Sequence, residues 1–283
     1  MKLRDWAFLV GGASAGLLVY GALYESKRLV VERHTIALPR WPKGLSGFRI
    51  ALLGDFHLRD QYSVELGKRA VAAVLDAEPD MVVLIGDFVG YWKMESAAMI
   101  GEVLEPLLLM NGNVVAVPGN HEYWFGTPEL IAPILDELNI KLLRNENWKH
   151  QGINWIGIDS ASAGQDDASA ALRDVGAGPR IVLWHEPDPI DSLPFRADLQ
   201  VSGHSHGGQW KFPLWTPMHT DFGRKYEQGF FARDGDTPLY VTRGVGTTGP
   251  PARFLCPPEV TLLTLVSGEQ GGAKLSSRED RDV

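Results

Sequence analysis

Five short stretches of this chain end in side chains of the types that can bind divalent metals. Gly54-Asp55-Phe56-His57 offers an Asp and a His two residues apart, and Ser202-Gly203-His204-Ser205-His206 offers two histidines at the same spacing. Gly86-Asp87, Pro118-Gly119-Asn120-His121 and Trp184-His185 complete the set. At a spacing of two in an extended segment, both side chains face one way and the residue between faces the other. Mixed Asp, Asn and His donors suit borderline ions such as Mn, Fe, Zn or Co, whereas an oxygen-only Mg or Ca cage would not need so many imidazoles. Asp55, His57, Asp87, Asn120, His185, His204 and His206 are donors enough for two ions. A pair of ions about 3.5 to 4 Å apart clamps an in-line displacement at phosphorus and makes hydroxide available near neutral pH. The chain has eight histidines, and five of them, including His121, fall in these stretches.

Each stretch follows a short apolar run. Arg49–Leu53, Met81–Ile85, Val114–Val117, Arg180–Trp184 and Asp198–Val201 read as buried strands. Residues 63–77 read as a helix, as do 95–110 with a break at Pro106. Thr127-Pro128-Glu129 reads as a helix start. Strands alternating with helices give an α/β layer arrangement, in which ligands bind beyond the carboxyl ends of the strands. Leu239–Thr242 and Glu259–Val266 are strand-like and point to a second sheet. Residues 29–47, rich in Pro and Gly, read as linker and domain entry. The domain proper is expected over 48–266, with a polar, disordered tail over 267–283.

Trp6 to Tyr24 carries no charged side chain. Nineteen helical residues rise roughly 28 Å, close to a bilayer core. A membrane anchor over residues 1–28 is the favoured reading; a cleaved signal peptide and a buried helix are the alternatives. Basic residues after the run outnumber those before it, which favours an inner-membrane protein with its catalytic domain on the cytoplasmic side. The net charge of −8 argues against a nucleic-acid partner. Cys256, the only cysteine, excludes an internal disulfide and a Cys-based zinc site.

The order GD-x-H, GD, GNHE, lone His, GHSH resembles the calcineurin-like metallophosphoesterase superfamily over residues 48–266. Gly203–Gln209 and Arg243–Thr264 are similar to a bacterial membrane-anchored branch. That branch includes phosphodiesterases like YkuE and YaeI and the LpxG form of UDP-2,3-diacylglucosamine pyrophosphatase. The resemblance implies a four-layer α/β/β/α sandwich. It implies that Asp55, His57 and His206 bind one metal, that Asn120, His185 and His204 bind another, and that Asp87 bridges them. It makes His121 the general acid or a stabiliser of the transition state, with Glu122, where the family often has Asp, lying behind the ligands. The two ions expected are Mn, Fe or Zn.

The function expected is hydrolysis of a phosphodiester or pyrophosphate bond in a lipid-linked or nucleotide-linked substrate. UDP-2,3-diacylglucosamine, in lipid A synthesis, is the sharpest version. A phosphodiesterase acting on cell-envelope substrates is the alternative. A metal-binding scaffold without turnover is the third reading, disfavoured because the ligand set and His121 are complete. Tyr123-Trp124-Phe125 could wall an acyl chain, stack on a base or be core. Arg243 and Arg253 could hold a phosphate or form structural ion pairs. His219 is a candidate for reaching substrate; His34 and His150 read as surface residues and Cys256 as a packed hydrophobe.

Overall fold

The computed structural model describes residues 16–124, 126–212, 215–233, 235–268 and 272–282, the last six by backbone alone. The chain runs β1 (Val30–Leu38), β2 (Phe48–Leu53), α1 (Gln61–Asp76), β3 (Met81–Leu84), α2 (Ser96–Leu104), β4 (Val114–Ala116), α3 (His121–Trp124), α4 (Pro128–Glu137) and β5 (Lys141–Leu142). It continues with β6 (Glu146–His150), β7 (Ile153–Ile158), α5 (Ala168–Ala171), β8 (Arg180–Trp184), β9 (Leu199–Ser202), β10 (Gly229–Phe231), β11 (Leu239–Val241), β12 (Glu259–Ser267) and β13 (Lys274–Asp282).

Two sheets result, one ordered β13-β1-β12-β2-β3-β4-β5 and the other β10-β11-β9-β8-β7-β6. β2, β3, β4 and β5 pair in parallel, as do β7, β8, β9 and β11. Parallel strands are buried on both faces, which is why Met-Val-Val-Leu of β3 is apolar throughout. Side chains alternate between the faces. Ile50, Leu52, Val83 and Val115 point inward and pack with Trp155, Ile181, Leu183 and Val201 of the other sheet. Leu53, Val82, Leu84 and Val114 point outward and pack under Val64, Val71 and Val74 of α1, Val103 of α2 and Ile131 of α4. On the far side, Ile156, Val182 and Trp184 are covered by Ala171 of α5 and neighbouring loops. The architecture is a mixed α/β fold of two packed sheets, with a thin outer layer over the second.

Local signals set the helix ends. Asp60 caps α1, accepting from the Ser63 amide at 2.8 Å. Thr127 caps α4, with Pro128 at its first turn. The helix expected over 95–110 divides into α2 and a 3₁₀ segment, Glu105–Met110, at Pro106.

Three expectations need correction. Residues 29–47, expected as linker, contain β1, which lies inside the sheet between β12 and β13. Its centre, Glu32-Arg33-His34, hid the strand. The expected disordered tail contains β13, antiparallel to β1. An edge strand needs only its neighbour's backbone donors and acceptors, so its polar composition is no obstacle. Of the expected apolar helix, residues 6–15 lie outside the described residues, and 16–23 are helical. Among the described residues no helix is long and apolar enough to cross a membrane. The 16–23 helix rests on the loop after β11: the Arg253 amide donates to the Gly21 carbonyl at 3.1 Å, and Tyr20 meets Phe254 edge-on at 6.1 Å. Its Leu18, Val19 and Leu23 stay exposed.

Candidate metal centre

All five motif stretches leave the carboxyl ends of strands at one rim. Asp55 and His57 follow β2, Asp87 follows β3, Asn120 and His121 follow β4, His185 follows β8, and His204 and His206 follow β9. Their backbone is not extended, as the spacing of two had suggested. Asp55, His57, Asp87, His204 and His206 all sit at φ between 46° and 67°. That left-handed conformation costs an L residue roughly 1–2 kcal/mol. It turns each ligand off its strand, so His204 and His206 serve different clusters.

Three groups of donor atoms converge: Asp55 with His57 and His206, Asp87 with His185 and His204, and His57 with Asp87 and His121. His57 Nε2 lies 3.0 Å from His206 Nε2 and 3.4 Å from Asp87 Oδ2. His185 Nε2 lies 3.3 Å from the same Asp87 oxygen, and His206 Nε2 lies 3.5 Å from Asp55 Oδ1. Asp87 therefore stands between the two outer groups. Asn120 is buried beside them, and its Oδ1 has no hydrogen-bond partner among the described residues. Two glycines make the approach possible. A Cβ on Gly203 would meet Asp55 Oδ2 at 2.4 Å, and one on Gly119 would meet Asp87 Oδ1 at 2.3 Å.

Tautomers show what the cluster fits. His185 Nδ1 bonds the Ile85 carbonyl at 2.5 Å, and His204 Nε2 bonds the Asp221 carbonyl at 2.6 Å. Carbonyls only accept, so each of these nitrogens carries the proton. When both rings are neutral, as metal ligands are, the remaining nitrogens, 3.2 Å apart, present lone pairs to each other. Such a pair is repulsive alone and favourable around a cation. The electrostatics of the buried cluster agree with a site built for positive charge. Burial pushes His57 down to about 3, keeping it a neutral donor, and pushes Asp55 up to about 7. Burial opposes protonation of His185, but Asp87 outweighs it and raises the ring well above its usual range, holding a second proton where an ion beside Asp87 would take its place and leave Nε2 its lone pair. The donor set, the orphaned Asn120 oxygen and the opposed lone pairs all fit divalent ions.

His121 is half-buried, with Nδ1 2.8 Å from the Gly90 carbonyl and its ring 4.4 Å edge-on to His57. Its amide donates to Asp87 Oδ1 at 2.9 Å. Glu122 lies behind Asp87. It accepts from the amides of Asp87 and Phe88 at 2.9 Å and Gly119 at 2.7 Å, fixing two ligand loops at once.

Sequence reasoning missed Glu186 and Asp188, just after His185. Buried Glu186 accepts from the Ser160 hydroxyl and the Ala161 and Ser162 amides. Asp188 accepts from the amides of Arg224, Lys225 and Tyr226. Each carboxylate holds a loop distant in sequence, which no local pattern reveals. Both arginines considered for phosphate are structural. Buried Arg253 donates to the carbonyls of Gly246, Gly244, Arg243 and Cys256. Arg243 pairs with Glu32 and, at 3.0 Å, with Glu259. Gln209 grips Thr248, donating to its carbonyl and accepting from its amide. The Gly246 amide donates to Asp55 O at 2.7 Å. The Arg243–Thr264 motif thus braces the first ligand turn.

Tyr123 is no acyl wall, since its hydroxyl donates to Asp159 at 2.6 Å and accepts from Arg144 at 3.1 Å. Trp124, 57% exposed, lines the pocket over the metal donors, and Phe125 lies outside the described residues. His219 faces Glu227 at 3.7 Å and does not line the pocket over the donors. His34 bonds Glu32 and His150 bonds Asn113, so both are more enclosed than the surface positions expected. Cys256 is buried.

Residues 48–208 match the family model described as calcineurin-like phosphoesterase. The chain is 28% identical to the uncharacterized metallophosphoesterase YkuE of Bacillus subtilis (strain 168), over 92% of this chain and 95% of that protein. It is 31% identical to phosphodiesterase YaeI of Escherichia coli (strain K12), over 83% of this chain and 87% of that one. It is 30% identical to a transmembrane protein with metallophosphoesterase domain from Danio rerio, over 89% of this chain and 61% of that protein.

Proposed function

The chain belongs to the calcineurin-like phosphoesterase family and is a metal-dependent phosphoester hydrolase, and we propose that it cleaves a phosphodiester or pyrophosphate bond in a nucleotide-linked or lipid-linked substrate. The observation that carries the chemistry is the opposed lone pairs of His185 and His204 above Asp87. Asp55, His57 and His206 would hold one ion, Asn120, His185 and His204 the other, and Asp87 would touch both. Two divalent ions there supply charge for the phosphoryl oxygens and hydroxide near neutral pH.

The chain's own side chains do the rest. His121 would protonate the leaving oxygen. Its Nδ1–H, bonded to Gly90 O, orients the ring. Glu122 keeps the Asp87 and Asn120 loops in register. No covalent enzyme intermediate is needed. YaeI's description as a phosphodiesterase supports the diester reading. The apolar run Trp6–Tyr24 and the exposed Leu18, Val19 and Leu23 support a chain held at a membrane, its domain spanning 48–266 together with β1.

The substrate is tested with the full chain, because truncation at residue 44 would remove β1 from the sheet. With Mn²⁺, hydrolysis of UDP-2,3-diacylglucosamine is expected to exceed that of bis-p-nitrophenyl phosphate. Cleavage of the reporter alone removes the lipid nucleotide and leaves the alternative, a phosphodiesterase of cell-envelope substrates.

A further inference from the structure

We infer that the part of the pocket beyond the metal donors is a subsite for a flat, uncharged, hydroxyl-bearing group of the nucleoside type, held by Ser162 and Thr220 between Trp124 and Phe222. The inference rests on the phosphoesterase reading and names the substrate class it serves. The pocket is a cavity of about 180 Å³ over His57, Asp87 and His121. Outside the donor set it is lined by Trp124, Ser162, Thr220, Asp221, Phe222 and Thr248.

Ser162 Oγ and Thr220 Oγ1 are buried and have no hydrogen-bond partner among the described residues. A buried hydroxyl left unpaired is unfavourable, and a ligand that pairs it recovers the difference. Neither hydroxyl sits on a loose loop. The Ser162 amide is tied to Glu186, next to His185. Thr220 precedes Asp221, whose carbonyl orients His204, and the chain just beyond is pinned to Asp188. The two hydroxyls are therefore fixed relative to the donors, as a recognition element must be.

The aromatic pair sets the shape. Trp124 is 57% exposed and Phe222 46%, both at the pocket. Such rings shed water by stacking on a flat group. Trp124 lies 5.7 Å from the His121 ring, so a group stacked on it sits beside the proton donor. The exposed Asp221 carboxylate at the same mouth disfavours a second anionic group there.

The test uses the full Mn²⁺-loaded chain and two esters with the same leaving group. Thymidine 5′-p-nitrophenyl phosphate offers a flat ring and a hydroxyl; bis-p-nitrophenyl phosphate offers a ring without one. Ser162→Ala/Thr220→Val is expected to lower the preference for the thymidine ester, as a ratio of kcat/KM values, about 10- to 100-fold. Calorimetry with metal-stripped protein is expected to show a matching loss of affinity for the thymidine ester. The single variants, Ser162→Ala and Thr220→Val, are measured alongside and supply the answer if the double variant does not fold. An unchanged preference together with unchanged affinity overturns the subsite. If the wild-type chain hydrolyses neither ester yet calorimetry keeps its dependence on Ser162 and Thr220, the hydrolase reading falls and the subsite stands.

Discussion

Asp87→Asn is expected to lower kcat/KM on any phosphodiester roughly 10³-fold and to cut bound metal from two ions per chain to one or fewer. Asp87 Oδ2 lies 3.4 Å from His57 Nε2 and 3.3 Å from His185 Nε2, one imidazole from each outer donor group. Removing one partner of a buried charge interaction costs about 3–5 kcal/mol, or roughly 10²- to 10⁴-fold in an equilibrium constant. The loss falls on ion binding first and on rate through it. Asparagine keeps the size, and Glu122 still holds the residue's amide, so the fold should survive. Metal analysis and a thermal melt on the same sample separate the two effects. A variant that keeps two ions and near-normal rates would place the bridge elsewhere.

His121→Ala has the second largest expected effect, and its signature is different. For an alkoxide leaving group, loss of the proton donor should lower kcat about 10²- to 10⁴-fold. For p-nitrophenolate, whose conjugate acid has a pKa of about 7, the loss should shrink to roughly tenfold, because the leaving oxygen barely needs the proton. Metal content should not change. This last readout matters because His121 shares a donor group with His57 and Asp87 and could itself be a ligand. If the variant loses metal, and loses rate equally on both kinds of ester, His121 is a ligand and the proton donor must be sought elsewhere.

The donor residues were legible in the sequence because each follows a buried strand. An apolar run that ends in Gly-Asp or Gly-Asn-His marks both a strand and its rim, and the parallel sheets bring those rims together. What the sequence concealed follows from how far its signals reach. Glu186 and Asp188 act on loops that lie 20 to 40 residues away. Ordinary spacing rules place Asp55 and His57 in an extended segment, whereas both are left-handed. Turning them off the strand brings both donors to His206. Arg253 resembled a phosphate clamp in a Gly- and Pro-rich motif, yet its guanidinium is used up by backbone carbonyls, a role that only the folded loop defines. β1 and β13 went unread because edge and near-edge strands need little apolar pattern. β7, Ile-Asn-Trp-Ile-Gly-Ile, lacks alternation because both faces are buried, and its Gly157 makes room for Leu143.

We propose that this chain binds two ions at the strand rim and hydrolyses phosphodiesters with them. The most direct test titrates Mn²⁺ into the metal-stripped chain while following both bound metal and hydrolysis of bis-p-nitrophenyl phosphate. Saturation is expected at two ions per chain, with activity rising as the second site fills and vanishing again on chelation. Saturation at one ion with full activity, or hydrolysis that persists in the chelated protein, would contradict it.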